Sequence, residues 1–267
     1  MAISVQTKHV IAVCAVMLWT CAYPAMSRTL YESSVVAAHQ DWMTQFERAY
    51  TDDAEKEKRF KIFVENLEYI EKFNNAGNKS YTLGLNPFSD LTVEEFIASY
   101  TGLKINSSRP RSSPATRLSV TDVPTSLDWR VKGAVTDIKN QGRCGFAGTC
   151  QMREAAAQII GYEDVAENSE EQLLQAVANQ PVSVAVAVNK NFQSHKTGVF
   201  EGPCGTDLNH AVVIVGYGTS EDGKKYWLIK NSWGERWGEQ GYMKLLRDSG
   251  EPGGVCGVAM KASYPIM

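Results

Sequence analysis

A segment rich in serine, proline and arginine, residues 104–122, divides this 267-residue chain into two parts with different periodicities. Its sequence, KINSSRPRSSPATRLSVTD, has almost nothing to bury, which is typical of an exposed linker. Proteases often cut such linkers, although the same composition would also serve as a plain hinge between domains. Helical patterns precede the segment and strand patterns follow it, so we expect an α+β fold.

Periodicity and capping residues predict three helices in the first part: 35–50, 53–75 and 93–100. Ser33 or Ser34 is expected to cap the first helix. Gly77 is expected to end the second helix. Thr92 and Glu95 have the spacing of a capping box for the third helix.

Runs of β-branched and apolar residues predict these strands: 81–85, 182–188, 211–218, 225–231 and 241–247. Turns with Gly, Asp and Pro separate the last four, which favours an antiparallel sheet or barrel. One helix, 169–180, is predicted before them, with Asn168 and Glu171 at its start and Pro181 after its end. The net charge of −3 gives no electrostatic reason to expect a nucleic-acid partner.

Residues 1–27 have the pattern of a secretory signal peptide. Lys8 precedes the apolar run 10–22, and Ala25 and Ser27 are small residues before a cut after position 27. The alternative, a membrane anchor, is disfavoured because about 20 apolar residues are needed to cross a bilayer. We therefore expect entry into the secretory pathway and no membrane attachment after cleavage.

Six cysteines are present, and two of them lie in the predicted signal peptide. The other four are Cys144, Cys150, Cys204 and Cys256. An even number of cysteines in a secretory chain suggests disulfide bonds. Two glycosylation sequons, at Asn78 and Asn106, add weak support for this route.

Three polar side chains could form part of a nucleophilic catalytic site. His210 begins an apolar strand and is a candidate base, although a single histidine in such a place is more often structural. Asn231 follows another strand, and its side-chain oxygen could orient the imidazole, with Trp233 covering that hydrogen bond. Gln141 could donate an amide hydrogen bond to an oxyanion.

The second part of the chain resembles the papain-like cysteine proteases, in the plant senescence-type branch. The resemblance is carried by four stretches: 124-PTSLDWRVKGAVTDIKNQGRCG-145, 206-TDLNHAVVIVGYG-218, 230-KNSWGERWGEQGY-242 and 255-VCGVAMKASYP-265. The first part resembles the inhibitory propeptide of that family, in two motifs: Glu55, Arg59, Phe63, Asn66, Ile70 and Asn74, then Gly84, Asn86, Phe88 and Asp90.

The resemblance implies an inhibitory propeptide over 28–103, a cleavage region over 104–122 and a peptidase domain over 123–267. It implies that Gln141, His210 and Asn231 are the family's oxyanion glutamine, histidine and asparagine, and that Cys204 pairs with Cys256. It further implies thiol-dependent hydrolysis of polypeptides without cofactor or metal, a propeptide lying in the cleft, and an extracellular or vacuolar/lysosomal destination. Asn209, Ala211 and Met260 or Lys261 should lie near the adjoining substrate pocket.

The nucleophile of that family does not appear in this sequence. Its signature is C-G-[SA]-C-[WY], but Phe146, Ala147 and Gly148 follow Cys144 and Gly145 here. His210 lies 63 residues after position 147, whereas about 130–150 residues are expected between nucleophile and base. The sheet half of the peptidase domain is then kept and most of the helical half is missing, so we predict an inactive chain.

Several alternatives stay open on the sequence alone. The chain could be an inhibitor or decoy for related proteases, or a product of splicing or gene-model error without function. Cys144 and Cys150 could pair with each other, stay free or cross-link chains. The cleft-facing surface of the sheet would be exposed by the deletion and prone to aggregation.

Overall fold

The computed structural model describes residues 31–104, 123–143 and 158–267, with most of the helices before most of the strands. The described helices are α1 (31–45), α2 (Asp53–Asn75), α3 (Val93–Tyr100), α4 (Glu170–Asn179) and α5 (Lys190–Gln193). The described strands are β1 (Tyr81–Leu83), β2 (Leu127–Asp128), β3 (Gly161–Asp164), β4 (Val182–Val186), β5 (His195–Phe200), β6 (His210–Thr219), β7 (Lys225–Lys230), β8 (Tyr242–Leu246) and β9 (Ala262–Ile266). The predicted α+β class is confirmed.

Several predictions lie outside the described residues. They are the signal peptide, nearly all of the linker, the sequon at Asn106, and the junction that contains Cys144 and Cys150. Within the described part of the chain, no helix combines the length and the apolar character that a membrane crossing requires.

The nine strands form one sheet in the order β1-β5-β8-β7-β6-β4-β9-β3, with β2 paired to β6. The central pair β6 and β7 places Val213 opposite Lys230, so the start of β6 lies beside the end of β7. The sheet is not purely antiparallel as predicted, because β5 and β8 run parallel. This pairing was not foreseen since strand β5 itself was not predicted.

Two predicted helix starts are wrong. Residues 31–34 are already helical in α1, and the Ser34 hydroxyl donates back to the Tyr31 carbonyl instead of capping the helix. The helix ends at residue 45, before Glu47 takes a left-handed φ of 54°. At α4, Ser169 is the cap, since its hydroxyl accepts from the Gln172 backbone N–H, whereas Asn168 has a φ of 60°. Helices α2 and α3 match their predicted bounds, and α3 has the predicted capping box.

The described residues up to 64 and those from 65 onward form two compact units. In the first unit, His39 packs against the rings of Trp42, Phe60 and Phe63. Glu55 and Arg59, two residues of the first motif, form an ion pair between neighbouring turns of α2 at 2.6 Å, with the Arg59 side chain 13% exposed.

In the second unit, two side-chain amides of α2 hold strand β1 and the segment that follows it. Asn74 donates to the Leu83 carbonyl and accepts from the Leu83 N–H, at 2.9 and 3.0 Å. Asn66 is buried and donates to the carbonyls of Ser89 and Leu91. Buried amides need such partners, so these contacts fix the path of the chain that leads into α3.

The disulfide implied by the resemblance is present. Cys204 and Cys256 are bonded across 52 residues of sequence, and Cys256 is 2% exposed. The bond joins the loop before β6 to the short 3₁₀ turn Val255–Gly257.

Candidate active site

The imidazole of His210 and the amide of Asn231 form the centre of the candidate site. His210 begins β6 and Asn231 follows the last residue of β7, and the pairing of these strands brings the two side chains together. His210 Nε2 lies 2.9 Å from Asn231 Oδ1. The same oxygen accepts from the Ser232 backbone N–H at 2.8 Å, which fixes the orientation of the amide.

The partner of Nε2 determines which nitrogen of His210 carries the proton. An amide oxygen can only accept, so Nε2 holds the hydrogen and Nδ1 keeps the lone pair of a base. Burial lowers the pKa of His210 to about 4, and the hydrogen bond that the ring donates to Asn231 opposes this only in part. The ring is therefore neutral at physiological pH.

Aromatic rings enclose the histidine. Trp233 stacks on the His210 ring with centroids 4.5 Å apart, and it is itself 1% exposed. The ring of Phe96, in α3, meets Trp233 edge-on at 4.9 Å, and Phe88 lies 6.1 Å away. The expectation of an exposed cleft-facing surface is wrong for these described residues, because residues 88–103, here called the covering segment, lie over them.

Gln141 holds one carbonyl of the covering segment. Its Nε2 donates to the Tyr100 carbonyl oxygen at 2.9 Å, and Trp233 Nε1 donates to the same oxygen at 3.3 Å. The Ser232 hydroxyl donates to Gln141 Oε1 at 2.5 Å, and the Gln141 N–H donates to the Ser232 carbonyl. The Gln141 amide is thus oriented as a hydrogen-bond donor, and a peptide carbonyl occupies it.

The covering segment ends beside the residue before β6, next to a pocket. The Leu103 N–H donates to the Asn209 carbonyl at 3.1 Å, the kind of backbone pairing that an extended peptide makes with a strand edge. Beside it is a cavity of about 480 Å³, lined by Leu103, Glu167, Asn168, Thr206, Asp207, Leu208, Met260 and Lys261. Met260 and Lys261 line this cavity, and Asn209 and Ala211 do not. The proximity of the four residues to a substrate pocket stays a prediction.

Two residues that make contacts in the candidate site were not predicted from the sequence. Ser232 directly follows Asn231 in the KNSWG stretch, and a hydroxyl at that position is the one local signal for its contact with Gln141. Tyr100 contributes through its backbone carbonyl, and no side-chain pattern could have indicated that contact. Among the described residues no cluster of three or more His, Cys, Asp or Glu side chains could hold a metal ion.

The lowered pKa of His210 can be checked directly. We expect an NMR titration of the ring proton on Cε1 to give a pKa near 4, assigned by its loss in a His210→Phe variant. Because this value lies below the usual 6.5, neutral His210 stabilises the fold above pH 6.5, and that contribution is lost as the pH falls towards 4. A measured pKa of 6.5 or higher would contradict the buried, neutral imidazole.

Comparison with known proteins agrees with this arrangement. The family model for papain family cysteine proteases matches residues 146–266, and that for the cathepsin propeptide inhibitor domain matches residues 39–96. Ananain from Ananas comosus is 38% identical over 299 aligned positions, covering 85% of this chain and 87% of its own length. The senescence-specific cysteine protease SAG39 from Oryza sativa subsp. indica is 37% identical, and the alignment covers 93% of this chain and 95% of SAG39.

Solved structures of cysteine protease precursors also resemble this chain. A recombinant stem bromelain precursor superposes with a TM-score of 0.79 at 37% identity, covering 88% of this chain and 99% of its own. The proform of the Amb a 11 cysteine protease, a ragweed pollen allergen, gives a TM-score of 0.78 at 30% identity. The superposition covers 88% of this chain and 95% of that one. With a histidine–asparagine pair beside an amide donor, and relatives that match both parts of the chain, this protein belongs to the papain family of cysteine proteases.

Proposed function

We propose that this chain is a thiol protease precursor. It keeps the histidine base of the catalytic site and the residues around it, but with this sequence it does not hydrolyse peptide bonds. His210 has the role of general base, Asn231 orients its ring, and Gln141 is the oxyanion donor. The observation that carries the proposal is the 2.9 Å contact between His210 Nε2 and Asn231 Oδ1, which leaves Nδ1 as the proton acceptor.

The proposed inactivity depends on the missing thiol. Peptide hydrolysis of this type requires a thiolate beside the base. Outside the disulfide and the predicted signal peptide, the sequence contains only Cys144 and Cys150, and neither stands at the nucleophile's position in the family signature. The alignment with Ananain supports a deletion: 85% of 267 residues is about 227, so about 72 of the 299 aligned positions face a gap in this chain.

The covering segment supports an inhibitory role for the first part of the chain. Its Tyr100 carbonyl occupies the Gln141 donor, and its Leu103 amide pairs with Asn209, so a substrate could not use either group at the same time. We therefore assign 28–103 as inhibitory propeptide, 104–122 as the cleavage region and 123–267 as a shortened peptidase domain. The Lys261–Glu167 ion pair in the adjoining pocket would face a substrate side chain.

Purified full-length chain, incubated with fluorogenic peptides and a thiol-reactive probe, tests the proposal. We expect no turnover above background, and no labelling that depends on His210. The His210→Ala variant is the matched control. Turnover in the parent chain that disappears in this variant would refute the proposed inactivity.

A second candidate function is inhibition of related papain-type proteases. The burial of Phe88, Phe96 and Tyr100 against the peptidase part favours it, because a related enzyme could accept the same residues. Residues 28–103 and the full chain should then slow a papain-type enzyme at micromolar concentration, and Phe96→Ala should weaken the effect. Absence of inhibition by both would count against this function.

We place the chain in the secretory pathway, with an extracellular or vacuolar destination. Asn78 of the sequon Asn-Lys-Ser is exposed, in the segment between α2 and β1. Expression through a eukaryotic secretory pathway should give a band that shifts on treatment with a glycosidase for N-linked glycans. The shift should become smaller in Asn78→Gln, and an unchanged shift would exclude glycosylation at this site.

A further inference from the structure

A surface stretch just before Gln141 has backbone N–H groups that the protein does not use. Residues 134–140, here called the donor segment, contain no helix or strand, and only Asn140 forms an isolated bridge, to Trp233. Within the described part of the chain, none of the N–H groups of residues 135–140 meets an acceptor. The donor segment therefore offers hydrogen bonds as an unpaired strand edge does.

Contacts with the sheet hold the donor segment in place and leave those N–H groups open. The Gly234 N–H donates to the Lys139 carbonyl at 3.1 Å, and Lys230 Nζ donates to the Thr136 carbonyl at 2.5 Å. The sheet thus uses carbonyl groups of the segment. A partner could pair with the N–H groups without breaking these contacts.

Cations without acidic partners flank the donor segment. Lys132, Lys139 and Arg143 are exposed, and none of them forms an ion pair within the described residues. The pKa of Lys230 is lowered by partial burial and then by the positive charge of Lys139, and the negative charge of Asp137 opposes this only in part. Positive charges therefore lie close to one another along this surface.

The acids nearby do not balance this charge. Asp137 lies inside the donor segment, and Glu235 follows the Gly234 that is bonded to it. Asp128 is already paired with Arg130, at 2.7 Å. Two carboxylates thus face the four cations of the preceding paragraph, which leaves an excess of positive charge on a chain whose net charge is −3.

We propose that the donor segment is a docking site for an extended, acidic stretch of a partner polypeptide. The partner's backbone carbonyls would accept from the N–H groups of residues 135–140, and its Asp and Glu side chains would pair with Lys139 and Lys230. Addition of an extended peptide to a row of open backbone groups is a common mode of peptide recognition. The site uses no catalytic thiol and is independent of the function proposed above.

The chain's own linker does not suit this site. Residues 104–122 carry four cations and one acid, so the positive surface would repel them. An acidic partner has the complementary charge.

Fluorescence anisotropy with the full chain tests the proposal, with a fluorescein-labelled peptide of alternating Glu and Thr residues as the probe. The same peptide with Gln in place of Glu should bind about tenfold more weakly, because it lacks the charges. Lys139→Glu should weaken binding of the Glu peptide by about fivefold. Asp137→Asn should strengthen it, since it removes the carboxylate inside the segment. Lys72→Glu, the same change of charge at an exposed residue of α2, is the matched control and should bind as the parent does.

Amide hydrogen exchange shows whether the backbone takes part. The Glu peptide should slow exchange at residues 135–140, whereas the Val165 N–H, which is already bonded to the Ala262 carbonyl, should be unaffected. Dextran sulfate is a polyanion without peptide carbonyls, and it should not give this protection.

Four results would overturn the proposal. They are equal affinity for the Glu and Gln peptides, unchanged affinity in Lys139→Glu, exchange at residues 135–140 that the Glu peptide does not slow, and the same protection with dextran sulfate. Protection of these amides that rises with chain concentration in the absence of peptide would assign the surface to a second copy and also reject the acidic partner. Should Lys139→Glu fail to fold, Asp137→Asn decides, and an affinity equal to that of the parent rejects the proposal.

Discussion

Replacing Trp233 by alanine is expected to lower the free energy of unfolding by about 3–5 kcal/mol. The ring is 1% exposed and touches aromatic side chains on both sides of the candidate site: His210 and Trp237 in the sheet part, and Phe96 in the covering segment. Its loss leaves a cavity that the surrounding rings cannot close. Urea denaturation followed by far-ultraviolet circular dichroism measures the change.

A matched variant separates the ring from its N–H group. Trp233→Phe keeps an aromatic stack but removes the hydrogen bond to the Tyr100 carbonyl. It should therefore lower the free energy of unfolding clearly less than Trp233→Ala does. Val131→Ala, at a residue 85% exposed, controls for surface effects and should change stability by less than about 0.5 kcal/mol. A loss below about 1 kcal/mol in Trp233→Ala would mean that the ring is not packed as described.

Removing the disulfide should lower the free energy of unfolding by about as much as Trp233→Ala. In the chain-entropy model, a cross-link over 52 residues stabilises the folded state by about 4 kcal/mol, because it restricts the unfolded chain. The double variant Cys204→Ala, Cys256→Ala should therefore unfold at a lower urea concentration than the parent chain under oxidising conditions.

The reduced parent chain provides the control for the lost side-chain volume. Its stability should approach that of the double variant, since both lack the cross-link. If the oxidised parent and the double variant unfold within about 1 kcal/mol of each other, the unfolded ensemble is not restricted by this bond in the way the entropic model assumes.

Local signals predicted the helices well where a cap and an apolar period agreed. Helix α3 has both a Thr92–Glu95 capping box and two buried residues, Phe96 and Tyr100, and its bounds match the prediction. Helix α1 was misplaced because serine is also tolerated inside a helix, where the Ser34 hydroxyl bonds to the preceding turn. At α4 the adjacent polar residues Asn168 and Ser169 compete for the same role, and spacing alone chose the wrong one.

Non-local pairing limited the prediction of the sheet. Strand β5, HKTGVF, has polar residues at its start and its apolar residues at its end, and its two partners β1 and β8 are distant in sequence. Strand β9 was overlooked because Pro265 interrupts its pattern. Proline is tolerated there because β4 pairs with β9 only at Ala262 and Ser263, so Pro265 has a strand on one side alone.

For the candidate site, the sequence indicated which side chains converge but not what covers them. The sequence placed His210 at the start of one strand and Asn231 after another, and the structure pairs those strands so that the two side chains meet. The contact of Gln141 with a backbone carbonyl of α3 depends on the path of the chain over the sheet, which no residue pattern specifies. The catalytic roles of these residues stay predictions.

The Tyr100 carbonyl on Gln141 has a consequence for any molecule offered from solution. A ligand carried on the same chain acts at an effective concentration that is commonly in the millimolar range for short connections. A free peptide that seeks the same amide donor therefore competes against about 1 mM of a tethered rival. Weak external ligands would go undetected in the intact chain, and screening for them should begin only after the tether has been cut.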